Sequence, residues 1–265
     1  MSAAPQTNPQ PAGGSGYWSG TRKPLNSLIF VIPLLALYEA GVVWLGGRDS
    51  DAFRSGADAW LRGGLDYLGL NRPWLVPTTI IVGLLIWHVA QQDPWRISLG
   101  TLGGMLCESL LFAAVLVGLA HLQTYGLRSW HEWSTNAPGT QAGAAAAAIP
   151  SERAAALAVI FLGAGIYEEV VFRLCLMPMC HGLFRTSGLR PGLAAFLAAL
   201  ATSLAFSIAH YVGPAGEPFR MFTFVFRTIA ALFFALLFVL RGFGIAVGTH
   251  TAYDLIVGLM LTGAS

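Results

Sequence analysis

The sequence predicts an all-α, polytopic transmembrane helical bundle of about seven spans, with an interfacial helix as an eighth element. Three observations carry this expectation. Of the 265 residues, 55% are hydrophobic and only 11% charged, against roughly 25% charged in a soluble domain. The mean hydropathy is +0.63. Apolar runs also recur near the length of about 20 residues that a helix needs to cross a hydrocarbon core of about 30 Å. The formal net charge of +2, with no long Lys or Arg run, excludes a nucleic-acid partner and leaves the lipid bilayer as the surrounding medium.

Taken in order, residues 1–24 are rich in small and polar types and lack both a basic n-region and an apolar h-region. They read as a disordered N-terminal tail, not a cleaved signal. The spans fall at 25–45, 74–90, 99–122, 154–180, 191–212, 219–240 and 243–261, bounded by Gly, Pro or charged residues. The second is short, Glu108 interrupts the third, and the fourth is unusually long. Between 50 and 70, Phe53, Ala57, Trp60, Leu61, Leu65 and Leu68 recur at helical spacing among Arg54, Asp58, Arg62 and Asp66. Such a segment is either an interfacial amphipathic helix or a solvated loop helix. Residues 123–153, with the aromatic cluster at 130–133 and an alanine run at 142–148, read as a loop, and Ser151 is a candidate cap for the next helix. The chain thus divides into the tail, N-terminal helices at 25–122, the loop, and a helical core at 154–263. Lys and Arg lie close to helix ends on the side of the N-terminus and mostly in longer loops on the other, which favours the N-terminus inside. Cys107, Cys175 and Cys180 lie in apolar segments without metal-ligand spacing and read as small packing residues.

Charges inside apolar helices cost about 2.5–3.5 kcal/mol each on insertion scales, so they usually face a partner, a cavity or a reaction. Glu168, Glu169 and Arg173 all fall within the fourth span. Residues four apart share a helix face, so Glu169 and Arg173 can pair while Glu168 points about 100° away. That leaves Glu168 free for general-base work. His210 ends the fifth span, and His250 and Asp254, again four apart, lie in the seventh. Each group alone is equally well a structural contact. Together a carboxylate, two imidazoles and an orienting Asp can activate water and stabilise an oxyanion without a nucleophilic Ser or Cys.

The ordered strings Glu168-Glu169-x-x-x-Arg173, Phe206-x-x-x-His210 and His250-x-x-x-Asp254 resemble the three motifs of the CPBP family. That family comprises type II CAAX prenyl endopeptidases and bacteriocin-processing or immunity relatives, also called glutamate intramembrane proteases. The resemblance covers about residues 154–263. It implies that Glu168 and His210 activate the hydrolytic water, that His250 and Asp254 stabilise the oxyanion, and that Glu169 and Arg173 support the site. Asp254 stands where the family often has Asn; an ionised Asp would repel an oxyanion, so it is either protonated or orients His250. The resemblance implies a membrane-associated peptide or protein substrate and no cofactor or metal, with Zn²⁺ the lesser alternative because these same side chains are plausible ligands. It implies a multi-pass protein of a bacterial-type inner membrane.

His210 lies near the end of its span and His250 near the start of a parallel one, a nominal offset of about 18 Å; breaks at Gly242, Gly244 or Gly248 would be one way for them to meet. Arg227, in the sixth span, is expected to pair with a site carboxylate or else to snorkel to the interface, with pairing favoured, and Glu39 and Glu108 are expected to be structural or cavity-lining groups. A proton-coupled carrier and a non-catalytic protein-binding or immunity role are the alternatives to a protease.

Overall fold

A computed structural model describes residues 16–47, 51, 53–70, 72–135, 151–213 and 216–261. Its helices are α1 (Tyr17–Gly20), α2 (Pro24–Gly46), α3 (Gly56–Tyr67), α4 (Leu75–Gln91), α5 (Leu99–Thr135), α6 (Ser151–Glu169), α7 (Met177–Thr186), α8 (Pro191–Ala209), α9 (Met221–Arg241) and α10 (Phe243–Ile256). A π-helical turn, Val170–Leu176, joins α6 to α7, and another, Val257–Leu261, extends α10. The fold is an all-α polytopic bundle. Among the described residues five helical rods are long and apolar enough to cross a membrane: Pro24–Gly46, Leu99–Gly126, Arg153–Thr186, Pro191–Ala209 and Met221–Arg241. Two further apolar helices, Leu75–Gln91 and Phe243–Leu259, are shorter.

The bundle is organised around α10, which packs against α2, α5, α6 and α9. Every residue from Phe243 to Thr251 is buried. Gly242 supplies the turn that feeds α10 into the interior: its φ is 97°, and a Cβ there would press on the Thr21 carbonyl and Arg22, so a left-handed glycine without a side chain suits both demands. The turn is pinned from two sides. Arg241 makes a bidentate pair with Glu108 at 2.8 and 3.0 Å and lies 3.9 Å over the Trp18 ring. The Ser27 hydroxyl accepts the Gly244 N–H at 3.0 Å, capping an orphan donor at the start of α10.

Residues 17–23 are part of the fold, because the aromatic pair Tyr17 and Trp18 covers Arg241; residues 1–15 and the alanine run at 142–148 lie outside the described residues. The third of the expected spans runs on as α5 to Thr135, well beyond 122, since no proline interrupts the helical hydrogen bonding before Pro138. Gly244 and Gly248 do not break the helix; they admit Met105 with Ser27 and Ser109 with Phe30 against the α10 backbone. Cys107 and Cys175 are exposed on helix faces and do not pack in the interior. The amphipathic segment is helical as α3 and packs Ala57, Leu61 and Leu65 against the core, but two of its charges turn inward beside them: Asp58 is fully buried and Arg62 partly so, while Asp66, Trp60 and Tyr67 face out.

Candidate active site

Glu168 and Glu169 close α6, and the widened π turn that follows carries Arg173. Turns of this kind are often found at functional sites. The i,i+4 pair forms: Arg173 Nε lies 3.2 Å from Glu169 Oε2, both side chains wholly buried. Arg173 Nη2 also donates to the Ala231 carbonyl at 2.8 Å, tying this turn to α9.

Four residues before Glu169, Gly165 lets α6 approach α10 closely. A Cβ there would meet the backbone and hydroxyl of Thr251, and this contact holds the neighbouring His250 against Glu169. His250 Nδ1 donates to Glu169 Oε1 at 2.9 Å. Its Nε2 faces two more carboxylates, Asp254 Oδ2 at 3.4 Å and Glu168 Oε2 at 3.8 Å. Phe234 of α9 stacks on the imidazole at 4.4 Å between centroids with planes 14° apart, fixing the ring's orientation. Glu169 is therefore not committed to Arg173 alone, as helical spacing suggested; it bridges Arg173 and His250. The Glu168 side chain makes no hydrogen bond among the described residues and is 15% exposed.

His210 caps the end of α8, with Nδ1 2.9 Å from the Phe206 carbonyl. A carbonyl only accepts, so Nδ1 carries the hydrogen and Nε2 presents its lone pair. The two histidines are not separated by depth: both pack against the Phe206 ring, His210 at 5.0 Å and His250 at 5.9 Å between centroids. The 18 Å offset presumed that both spans begin at one membrane surface. Instead α10 starts from the buried Gly242 turn, and Phe206, one turn before His210, bridges the remaining gap. The same ring receives the Arg173 guanidinium at 5.4 Å and the Phe172 ring at 5.2 Å.

Arg227 pairs at 2.8 Å with Glu217, in the exposed stretch that follows His210, and not with a site carboxylate. Glu108 is a structural contact of Arg241, and Glu39 one of Arg62 and the Tyr167 hydroxyl. Sequence reasoning missed Phe234 and Tyr167, whose apolar surroundings hide them among other aromatics; the unexplained charge at Glu39 was the one available signal for the latter. Among the described residues, no group of three or more His, Cys, Asp or Glu side chains is placed to hold a metal ion.

A family model described as Type II CAAX prenyl endopeptidase Rce1-like matches residues 150–256, a stretch containing Glu168, Glu169, Arg173, His210, His250 and Asp254. A CPBP-like domain is present over those residues. No curated protein and no solved structure matches the chain.

Proposed function

We propose that this chain is an intramembrane endopeptidase that hydrolyses a peptide bond near a membrane-embedded or lipid-anchored segment. The observation that carries the reading is the meeting of Glu168, His250 and Asp254 at one point, with His210 across Phe206, inside the matched domain. The hydrolytic water gives its proton to Glu168, with the Nε2 lone pair of His210 as the second acceptor, while its oxygen bonds to the carbonyl carbon. The resulting oxyanion accepts a hydrogen bond from the Nε2–H of His250 in its imidazolium form. Asp254 orients His250 from the Nε2 side, and Glu169, anchored by Arg173, does so from Nδ1. Collapse of the tetrahedral centre breaks the C–N bond, and the leaving amine takes up the proton held by Glu168. General-base catalysis of this kind contributes about 10²–10⁴-fold and an oxyanion donor about 10²–10³-fold.

In this reading Leu75–Gln91 and Phe243–Leu259 join the five longer helices as membrane-embedded elements, seven in all, and the membrane is of the bacterial inner type. The route uses no metal, so activity that persists after chelation is expected; inhibition restored by zinc would replace it with a metal-dependent hydrolase. Glu168→Ala and His210→Ala, in forms that still insert and fold, are expected to lose cleavage of a membrane-associated peptide or protein. Unchanged processing in both would leave a protein-binding, immunity or carrier role.

A further inference from the structure

A second buried polar cluster lies against the helix that carries Glu168. Tyr38, Glu39, Arg54, Asp58 and Arg62 all precede residue 150, so the matched domain does not include them. Asp58 Oδ1 accepts from Arg62 Nε at 2.8 Å, and its Oδ2 accepts from both the Tyr38 hydroxyl and Arg54 Nη1 at 2.8 Å. Arg62 Nη2 donates to Glu39 Oε1 at 3.1 Å, and the same oxygen accepts the Tyr167 hydroxyl at 2.7 Å. The Tyr38 ring lies 5.3 Å from that of Tyr167 and fills the space that a Cβ on Gly163 would need. Residues 163 and 167, one turn apart on α6, are thus both gripped from α2, and Glu168 is the next residue.

Among the described residues the Glu168 side chain makes no hydrogen bond, only the 3.8 Å approach to His250 Nε2, so the backbone that carries it largely sets where its carboxylate points. Side-chain tips lie roughly 5–6 Å from a helix axis, and a rotation of about 10° therefore moves such a carboxylate by about 1 Å. A misplacement of about 1 Å is enough to cost on the order of 10²-fold in rate. We propose that Tyr167, tied to Glu39 and through it to Arg62 of α3 and to Arg54 just before that helix, is a positioning residue that fixes the rotation of α6 and aims Glu168 at His250. This rests on the reading of Glu168 as the base. It gives the inward-facing charges of α3 a purpose: they hold the acceptor of Tyr167 in place.

The test needs no natural substrate. Purified full-length protein in detergent is treated with dicyclohexylcarbodiimide, an apolar reagent for protonated carboxyl groups, and modification of Glu168 is followed by mass spectrometry across pH. Tyr167→Phe is expected to change the Glu168 rate about five-fold, the scale of one net hydrogen bond, and to displace its pH profile. Glu39→Gln keeps an acceptor for the Tyr167 hydroxyl and should retain the wild-type profile. Tyr38→Phe removes a hydrogen bond from the far end of the same cluster; it should lower the melting temperature without moving the Glu168 profile. The proposal is overturned if Tyr167→Phe superposes on wild type, if Tyr38→Phe shifts the profile equally, or if Glu168 is unmodified in wild type. Failure of the hydrolase reading is separate: it appears as normal processing in cells carrying Glu168→Gln, whatever the carbodiimide reports.

Discussion

The cluster around Asp58 and the cluster around Glu168 are both groups of charges inside an apolar bundle, yet they are bonded to opposite degrees. Around Asp58, no polar side-chain atom of Tyr38, Glu39, Arg54, Asp58 or Arg62 is buried without a hydrogen bond. Burial works to lower the Arg54 guanidinium, but hydrogen bonding and attraction from Asp58, with the charge of Glu39, hold it above its ordinary value. Around Glu168, Glu169 Oε2 and Arg173 Nε meet as an ion pair at 3.2 Å without hydrogen-bond geometry, Arg173 Nη1 is buried without a hydrogen bond, and the Glu168 side chain has none among the described residues. An unsatisfied buried group costs about 1–3 kcal/mol, and such groups in a native fold call for an explanation, of which catalysis is one. The difference teaches that buried charge alone does not mark a site; incompletely bonded charge with some exposure does so better.

The comparison breaks or sharpens through substitutions in each region. The largest effect is expected at Glu168→Gln, which should lower cleavage by about 10²–10⁴-fold with little loss of melting temperature, because among the described residues that carboxylate makes no hydrogen bond and only a 3.8 Å approach to His250 Nε2. A comparable loss of stability there would make Glu168 a structural group. Asp58→Ala strands two arginines, and removing one partner of a buried pair costs about 3–5 kcal/mol; chemical denaturation in detergent measures it, and a change below about 1 kcal/mol would contradict the bonding described. Gly165→Ala forces a methyl group onto Thr251, an overpacking cost of about 1–3 kcal/mol, and should reduce cleavage too, since His250 is held by that crossing. The smallest effect is expected at Arg227→Gln, a surface pair worth at most about 1 kcal/mol, with turnover unchanged; a severe loss of cleavage would return Arg227 to the site.

Much of the site was legible because helical spacing is a local property. Glu169 with Arg173, and His250 with Asp254, were read from four-residue intervals, and both pairs form. The depth of His250 was not legible, because it depends on where α10 begins, and that is set by Ser27, Glu108 and Trp18 more than 100 positions away in the chain. The double role of Glu169 was hidden for the same reason: only the α6–α10 crossing at Gly165 brings His250 to it. Periodicity located α3 and its apolar positions but could not tell that Asp58 and Arg62 turn inward beside Ala57, Leu61 and Leu65, because their burial depends on Tyr38 and Glu39 of another helix. Arg227 was misassigned because a charge within an apolar span carries no record of the Glu217 side chain that folds back to meet it.

The most direct measurement is a comparison of the membrane proteomes and released peptides of cells that express either the intact chain or Glu168→Gln at equal levels. The account predicts at least one membrane-anchored protein whose processing stops in the variant, with the cut close to its membrane-embedded or lipid-anchored segment. Identical processing of every membrane protein in the two strains would contradict it.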